Sequence, residues 1–254
     1  MAAVTIFTQV YNTAPYIRQC VESVLEQSFS DFEYVLIDNG CTDGCKEILK
    51  EYVEKDSRIK LLSFEENAPG RIWKAAESIG DSPYFSTLDS DDWVEKDYLE
   101  TLMSFAEENH LDIACTGTMM HIMATGSKAM RKIDQPLILP RESFSDALPR
   151  YHVFFRTHWG KLIRFDLLRQ IRPSTLPAIY GRDTLICFGC LRHAGRIGVD
   201  NSILHHYRIH KKSSSYQYNP KRFDADVYLY NDAIEFLTSF GPISAQNRDF
   251  LQAV

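Results

Sequence analysis

The sequence predicts an α/β domain with a mostly parallel sheet flanked by helices, and three observations carry that expectation. Short β-rich runs alternate with helix-periodic runs through the first half of the chain. The strand-like runs are short and apolar, the pattern of strands covered on both faces. Two of them stop abruptly in polar turns, Asp38-Asn39-Gly40 and Asp89-Ser90-Asp91-Asp92.

In chain order, Val4 to Val10 reads as a strand, and Pro15 to Gln27 places Ile17, Val21, Val24 and Leu25 at helical spacing. Tyr34 to Ile37 is a strand running into the first turn. Lys46 to Glu54 is a helix, Ile59 to Phe64 a strand and Arg71 to Ile79 a helix. Tyr84 to Leu88 is the strand that ends in acid. Lys96 to Glu108 is an amphipathic helix and Asp112 to Gly117 a strand. Beyond it, Met119 to Ile133 reads as a hairpin turning at Thr125-Gly126. Helices are expected at Glu142 to Tyr151, Asp166 to Ile171, Asp183 to Arg192 and Phe223 to Phe240. Strands are expected at Arg196 to Val199 and Ile203 to Ile209, with a polar loop at Lys211 to Ser215. The expected division is a first half over 1–117, a second over 118–210 and a helical tail over 211–254.

Composition narrows the function. The 254 residues are 44% hydrophobic and 24% charged, an ordinary globular balance that can bury a core without staples. A net charge of -6 argues against a nucleic-acid partner. The start, MAAVTIFTQVYN, lacks a basic, long-apolar leader, and no run approaches the ~20 apolar residues of a membrane span. A cytoplasmic protein is expected, with peripheral attachment to the inner face of a membrane left open. The six cysteines read as buried thiols; the sharper alternative is a zinc site joining Cys41 and Cys45 to Cys187 and Cys190.

In an open parallel sheet, ligands bind beyond the carboxyl ends of the strands. Both acidic turns lie at such ends and should converge on one crevice. Asp89-x-Asp91 is suited to a divalent cation bound to a diphosphate, one carboxylate serving the metal and the other a ribose. An acidic turn alone is also an ordinary solvated turn with a helix cap.

Several ordered motifs together resemble glycosyltransferase family 2. They are Val10-Tyr11-Asn12, Leu25-Glu26-Gln27-Ser28, Asp38-Asn39-Gly40-Cys41-Thr42-Asp43, LDSDDW, WGKLIRFDLL (family W-N-K-L-Y-R-x-D-L-L) and GRDTLI (family E-D-T-L-F). The resemblance covers roughly residues 3 to 210. It implies a GT-A fold, Rossmann-like, with a smaller acceptor-side region, and an inverting, metal-dependent transfer of a hexose or N-acetylhexosamine from a UDP-sugar. The implied acceptor is a carbohydrate or lipid-linked glycan of surface-polysaccharide type, and the implied cofactor Mn²⁺ or Mg²⁺. By the same resemblance Tyr11 packs against uracil, Asp38 reads the base, Asp89 faces the ribose, Asp91 binds the metal and Asp183 is the general base. Trp159 and Lys161 then shape the acceptor pocket. Arg71 (or Lys74) and Arg208 approach the diphosphate.

Each assignment has a plainer reading beside it. Tyr11 could be a core aromatic, and Asp183 could simply favour a helix start. Asp92 is either a hydrogen-bonding helper or a helix N-cap. Trp159 and Lys161 could be a packed indole and a surface lysine. Of His205, His206 and His210, one could complete a metal shell, or all could be ordinary strand residues. The chain departs from the family pattern at Gln9, Asn39 and Cys41, and Ile72-Trp73-Lys74 stands where A-R-N is usual. Arg182 replaces a Glu and is expected to depress the pKa of Asp183. Rival classes are a non-catalytic nucleotide-sugar or carbohydrate-binding domain and a nucleotidyltransferase. The latter would want a Gly-rich basic loop after the first strand, which QVYNTAPY is not.

Overall fold

The computed structural model describes residues 2–79, 81–177, 180–213 and 217–253. Its first half repeats a strand-helix unit: β1 (Val4–Val10), α1 (Ala14–Leu25), β2 (Phe32–Asn39), α2 (Cys45–Lys55), β3 (Ile59–Phe64), α3 (Arg71–Ile79) and β4 (Tyr84–Thr87). Both β2 and β4 pair in parallel with β1, and β3 pairs in parallel with β2. Successive side chains of a strand point to opposite faces. Phe7, Val35 and Ile37 therefore enter one core with Trp73 of α3, whereas Ile6, Tyr34 and Leu36 enter another with Ile17 of α1 and Leu49 of α2. Burial on both faces explains why these strands read as apolar runs.

The rest of the sheet is mixed. After β5 (Trp93–Val94) and α4 (Tyr98–Glu108) come β6 (Ile113–Ile122), β7 (Ser127–Arg131), β8 (Leu137–Pro140) and α5 (Phe144–Phe155). Then follow β9 (Lys161–Arg164), α6 (Phe165–Ile171), α7 (Arg182–His193), β10 (Arg196–Ile209), α8 (Arg222–Thr238) and α9 (Ala245–Ala253). The order across the sheet is β3-β2-β1-β4-β9-β6-β10-β5, with β7 on β6 and β8 on β10. The short β9 runs antiparallel to both β4 and β6, so it joins the two halves of one sheet.

Three expectations need adjustment. The strand expected to stop at Gly117 continues to Ile122, across the 117/118 division. A Cβ on Gly117 would lie 2.8 Å from the Ser202 carbonyl and 3.0 Å from that of Arg131, so glycine here admits close neighbours rather than ending the strand. The two strands expected after Arg196 are one, β10, whose register on β6 shifts between Val199 and Ile203. The two-residue β5, antiparallel to β10, lies inside what read as a turn and is too short for periodicity to detect. The β6–β7 hairpin turns at Thr125-Gly126 as expected, with Gly126 at φ 69°. In the polar loop, Ser214 and Ser215 lie outside the described residues. Among the described residues no helix is long and apolar enough to cross a membrane.

Candidate active site

The carboxyl ends of β1, β2 and β4 meet the end of β10. Val10 closes β1 and passes the chain to Tyr11, whose ring is 44% exposed, so it is not a core aromatic. Tyr11, Asp91 and His210 line one crevice of about 990 Å³. Asp38 closes the first turn from beneath. Its Oδ1 accepts the Cys41 N–H at 2.9 Å, and its Oδ2 is buried without a partner among the described residues. A buried carboxylate oxygen left open is costly unless a ligand donor fills it.

The departures from the family pattern have local reasons. The Asn39 amide donates to Asn67 Oδ1 (2.6 Å) and the Ala68 carbonyl (3.1 Å) and accepts the Ala68 N–H (3.1 Å). A carboxylate could not donate either bond. Gln9 Oε1 accepts the Ile72 N–H at 2.9 Å and so caps the start of α3. The Cys41 thiol donates to the Val10 carbonyl at 3.3 Å, tying the turn after β2 to the end of β1.

In the second turn, Asp91 Oδ2 lies 2.9 Å from His210 Nε2. The His210 ring stacks on Tyr16 at 5.0 Å, and its Nδ1 accepts the Lys212 N–H at 3.1 Å. Of the three histidines near the end of β10, His210 is thus the one placed at Asp91. His206 pairs instead with Glu95 at 2.7 Å. His205 is buried beside Asp92, 3.7 Å away. Burial drives Asp92 well above the carboxylate range and lowers His205 to about 3, so both are held neutral. Asp92 accepts the Arg208 N–H at 2.7 Å, which makes it a helper by hydrogen bonding; the N-cap of α4 is Asp97.

The two arginines assigned to the diphosphate are otherwise engaged. The Arg208 guanidinium donates to the Asp91 carbonyl and to Gln19 Oε1 (2.7 Å), and lies 4.5 Å from the Tyr16 ring centre and 4.6 Å from that of Trp93. This corrects its expected reach into the crevice: stacked and doubly bonded, it braces the acidic turn from behind. Arg71 packs its guanidinium 4.1 Å from the Phe64 ring centre. Lys74 is exposed on α3.

Asp89 is partly buried, with Asp91 and Asp183 as neighbouring carboxylates. Burial lifts its carboxyl to about 7; Asp91 and Asp183 push the same way, and His158 opposes them. Asp183 occupies the first turn of α7, as a helix-start carboxylate would, but its Oδ1 faces His158 Nε2 at 3.2 Å. Burial would raise Asp183, yet the charge and hydrogen bond of His158 prevail and hold it below the usual carboxylate range. The expected depression is therefore present with a different cause. Arg182 donates to the Pro173 carbonyl at 2.6 Å instead.

Trp159 is a packed indole, stacked on His205 (4.8 Å) and Tyr207 (5.3 Å). Lys161 is no surface lysine: it is 4% exposed and donates to the carbonyl and hydroxyl of Thr157, fixing the chain that carries His158. His158 escaped the sequence reading because it lies 25 positions from Asp183 with no periodic relation to it. Its only signal was a histidine directly before the W-G-K motif. The four-cysteine zinc site does not form. Cys45 and Cys190 belong to the cores on opposite faces of the sheet, and Cys41 and Cys45 meet Asp43 instead. The Asp43 carboxylate accepts the Ala14 N–H (2.8 Å) and the Cys45 N–H (3.2 Å), joining the starts of α1 and α2.

Comparison with known proteins bears on the family and the fold. The family profile described as glycosyl transferase family 2 matches residues 5–172. Glycosyltransferase GlyA of Streptococcus pneumoniae is 29% identical over 251 residues, 94% of this chain, although the chain spans only 35% of that protein. The crystal structure of S. aureus TarS 1-349 in complex with UDP-GlcNAc superposes with a TM-score of 0.75 at 19% identity, covering 93% of this chain and 71% of that one. The mannosyltransferase PcManGT of Pyrobaculum calidifontis, in complex with GDP-Man and Mn²⁺, gives 0.66 at 15% identity over 99% of this chain and 68% of that one.

Proposed function

We propose that this chain, which belongs to glycosyl transferase family 2 and is a glycosyltransferase of GT-A fold, moves a sugar from a UDP-sugar to a hydroxyl of a glycan or lipid-linked acceptor, with inversion. The observation that carries this reading is the flanking of Asp89 by two carboxylates of different setting, Asp91 with His210 and Asp183 with His158.

On the donor side, Tyr11 offers an exposed face to uracil, and Asp38 Oδ2 accepts the uracil N3–H that would fill its open site. Asp89 faces the ribose. Asp91 and His210 hold a divalent cation, Mn²⁺ or Mg²⁺, for which a carboxylate and an imidazole lining one crevice are a fitting donor set. When bound, that cation neutralises charge on the departing diphosphate. Arg208 keeps the Asp91 turn in shape. On the acceptor side, the Asp183 carboxylate is 45% exposed and open to a hydroxyl. It takes the hydroxyl proton as that oxygen attacks the anomeric carbon from the face opposite UDP; the sugar–phosphate bond breaks and UDP leaves. Trp159 and Lys161 support the acceptor wall from within. A protein working at the inner face of a membrane, by peripheral attachment, fits such an acceptor.

The test is a panel of UDP-, GDP- and ADP-sugars with Mn²⁺ or Mg²⁺, read by donor hydrolysis and thermal stabilisation. UDP-sugars should stabilise the protein in a metal-dependent way. Equal response to all three nucleotides, or none to any metal, overturns the assignment of Tyr11, Asp38 and Asp91.

A further inference from the structure

We propose that His158 is a positioning residue for the base: a buried imidazolium, anchored by Thr87, that fixes Asp183 Oδ1 and keeps the carboxylate ionised as the acceptor hydroxyl arrives. This rests on the reading of Asp183 as the base and adds to it a residue that the family motifs do not mark.

The argument begins with hydrogen-bond counting. Thr87 closes β4, two residues before Asp89, and its hydroxyl donates to the His158 carbonyl at 3.1 Å. A hydroxyl has one proton. Its oxygen is then left to accept, and His158 Nδ1 lies 2.7 Å from it. The other ring nitrogen faces a carboxylate oxygen, Asp183 Oδ1, at 3.2 Å. With the Thr87 proton on the carbonyl, both ring nitrogens meet acceptors, an arrangement that the doubly protonated ring satisfies. Trp73 packs edge-on against the ring at 5.2 Å, and His158 is 8% exposed, so the orientation is fixed.

The surrounding charges favour the same state. Facing His158 are Asp183 on α7, Asp89 after β4 and Lys161 on β9. Burial disfavours the charged ring and Lys161 repels it, but the two carboxylates prevail, and its pKa lies above the ordinary histidine value. Around Asp183 stand His158 and Lys161 as cations, Asp89 as a rival carboxylate, the Arg182 guanidinium and the Cys187 thiol. With Oδ1 taken by the imidazolium, Oδ2 is the atom assigned to receive the acceptor proton. The Thr87–His158–Asp183 chain also links the base to the strand that presents Asp89, so donor and acceptor sides share one rigid frame.

The experiment compares kcat–pH profiles, using a UDP-sugar and acceptor that support turnover. A base must be ionised, so activity falls as pH drops through its pKa. Removing the neighbouring cation raises that pKa, and the acid limb moves to higher pH. His158→Gln, which keeps a neutral donor in reach, should lower kcat roughly ten- to hundredfold, as misplacement of a catalytic group does, shift the acid limb upward and leave the KM for the UDP-sugar unchanged. His158→Ala should lose more activity, with Gln rescuing part of it. In an Asp183→Asn background the Gln substitution should have no further effect. A reduced kcat with an unmoved acid limb overturns the proposal while leaving the base assignment intact. Near-normal turnover of Asp183→Asn removes the base assignment itself. Should the variants not fold, imidazole NMR of the unmodified protein decides: a His158 ring titrating below the ordinary histidine value overturns the proposal, and one titrating above it supports it.

Discussion

Two carboxylate–imidazole pairs flank Asp89, and they are held in different ways. Asp91 and His210 sit at the rim of the crevice, 22% and 13% exposed at their side chains, and His210 follows the end of β10 in a polar loop. Asp183 is the more open acid at 45%, but the side chain of its partner His158 is buried and bonded at both ring nitrogens. A pair at the rim can exchange its mutual contact for a ligand. A pair whose imidazole is locked can only orient the acid and bias its proton. In the function proposed above, the Asp91–His210 pair then serves binding and the Asp183–His158 pair proton transfer, a contrast that mutations can break or sharpen.

The largest effect is expected at Asp183. Asp183→Asn preserves size but cannot accept a proton at neutral pH, so turnover should fall roughly 10²-fold or more with UDP-sugar affinity nearly unchanged. Paired calorimetry and rate measurement check this; loss of affinity and folding together would make Asp183 a helix-start residue only. Next is Asp91→Asn, which should keep the fold but weaken metal-dependent UDP binding, roughly 10- to 100-fold. Ligation through His210 Nε2 would also place the ring proton on Nδ1 and release the Lys212 N–H bond. Hydrogen exchange at Lys212 should therefore quicken on adding Mn²⁺, and unchanged protection there would count against His210 as a ligand.

Smaller effects are expected beneath the crevice. Asp38→Asn should cut the preference for UDP over GDP about tenfold, the worth of one good hydrogen bond. Competition binding with both nucleotides measures this, and an unaltered ratio would show that Asp38 does not read the base. The smallest effect concerns stability. Asp89 has its folded pKa raised to about 7, so the native state holds its proton longer than the unfolded chain. Stability is then lost as pH rises from the ordinary carboxylate value through about 7. Asp89→Asn should relieve this cost at pH 8 and leave stability unchanged at pH 3. Thermal unfolding of the ligand-free protein at the two pH values is the measurement.

The contrast also marks how far the sequence could be read. The two acidic turns were legible because each closes a strand, and a strand followed by an acidic turn is a local pattern; the roles of their residues came only from the family resemblance. Finding Asp38, Asp89 and Asp91 required no knowledge of which strands are neighbours, and Tyr11 was marked by the family motif. The histidines were not legible in this way. His205, His206 and His210 looked alike, and only the path of β10 past the acidic turn separates the one at Asp91 from the one buried beside Asp92. Arg208 looked like a free cation until its stacking between Tyr16 and Trp93 was seen.

By itself the sequence determined the alternation of strand and helix, the two acidic turns and the family to which they belong. The first two follow from periodicities of two and 3.6 residues and from turn chemistry, which act over a few neighbouring positions, and the family from several ordered motifs matching together. Tertiary structure decided the rest: that β10 is one bulged strand, that β9 joins two halves into one sheet, and that Thr87, His158 and Asp183 form a single chain of hydrogen bonds. Thr87 and His158 are 71 positions apart, and His158 and Asp183 a further 25. Contacts at such separations are set by which strands become neighbours in the sheet, and the charge state of a buried histidine is set by what those neighbours bring to it.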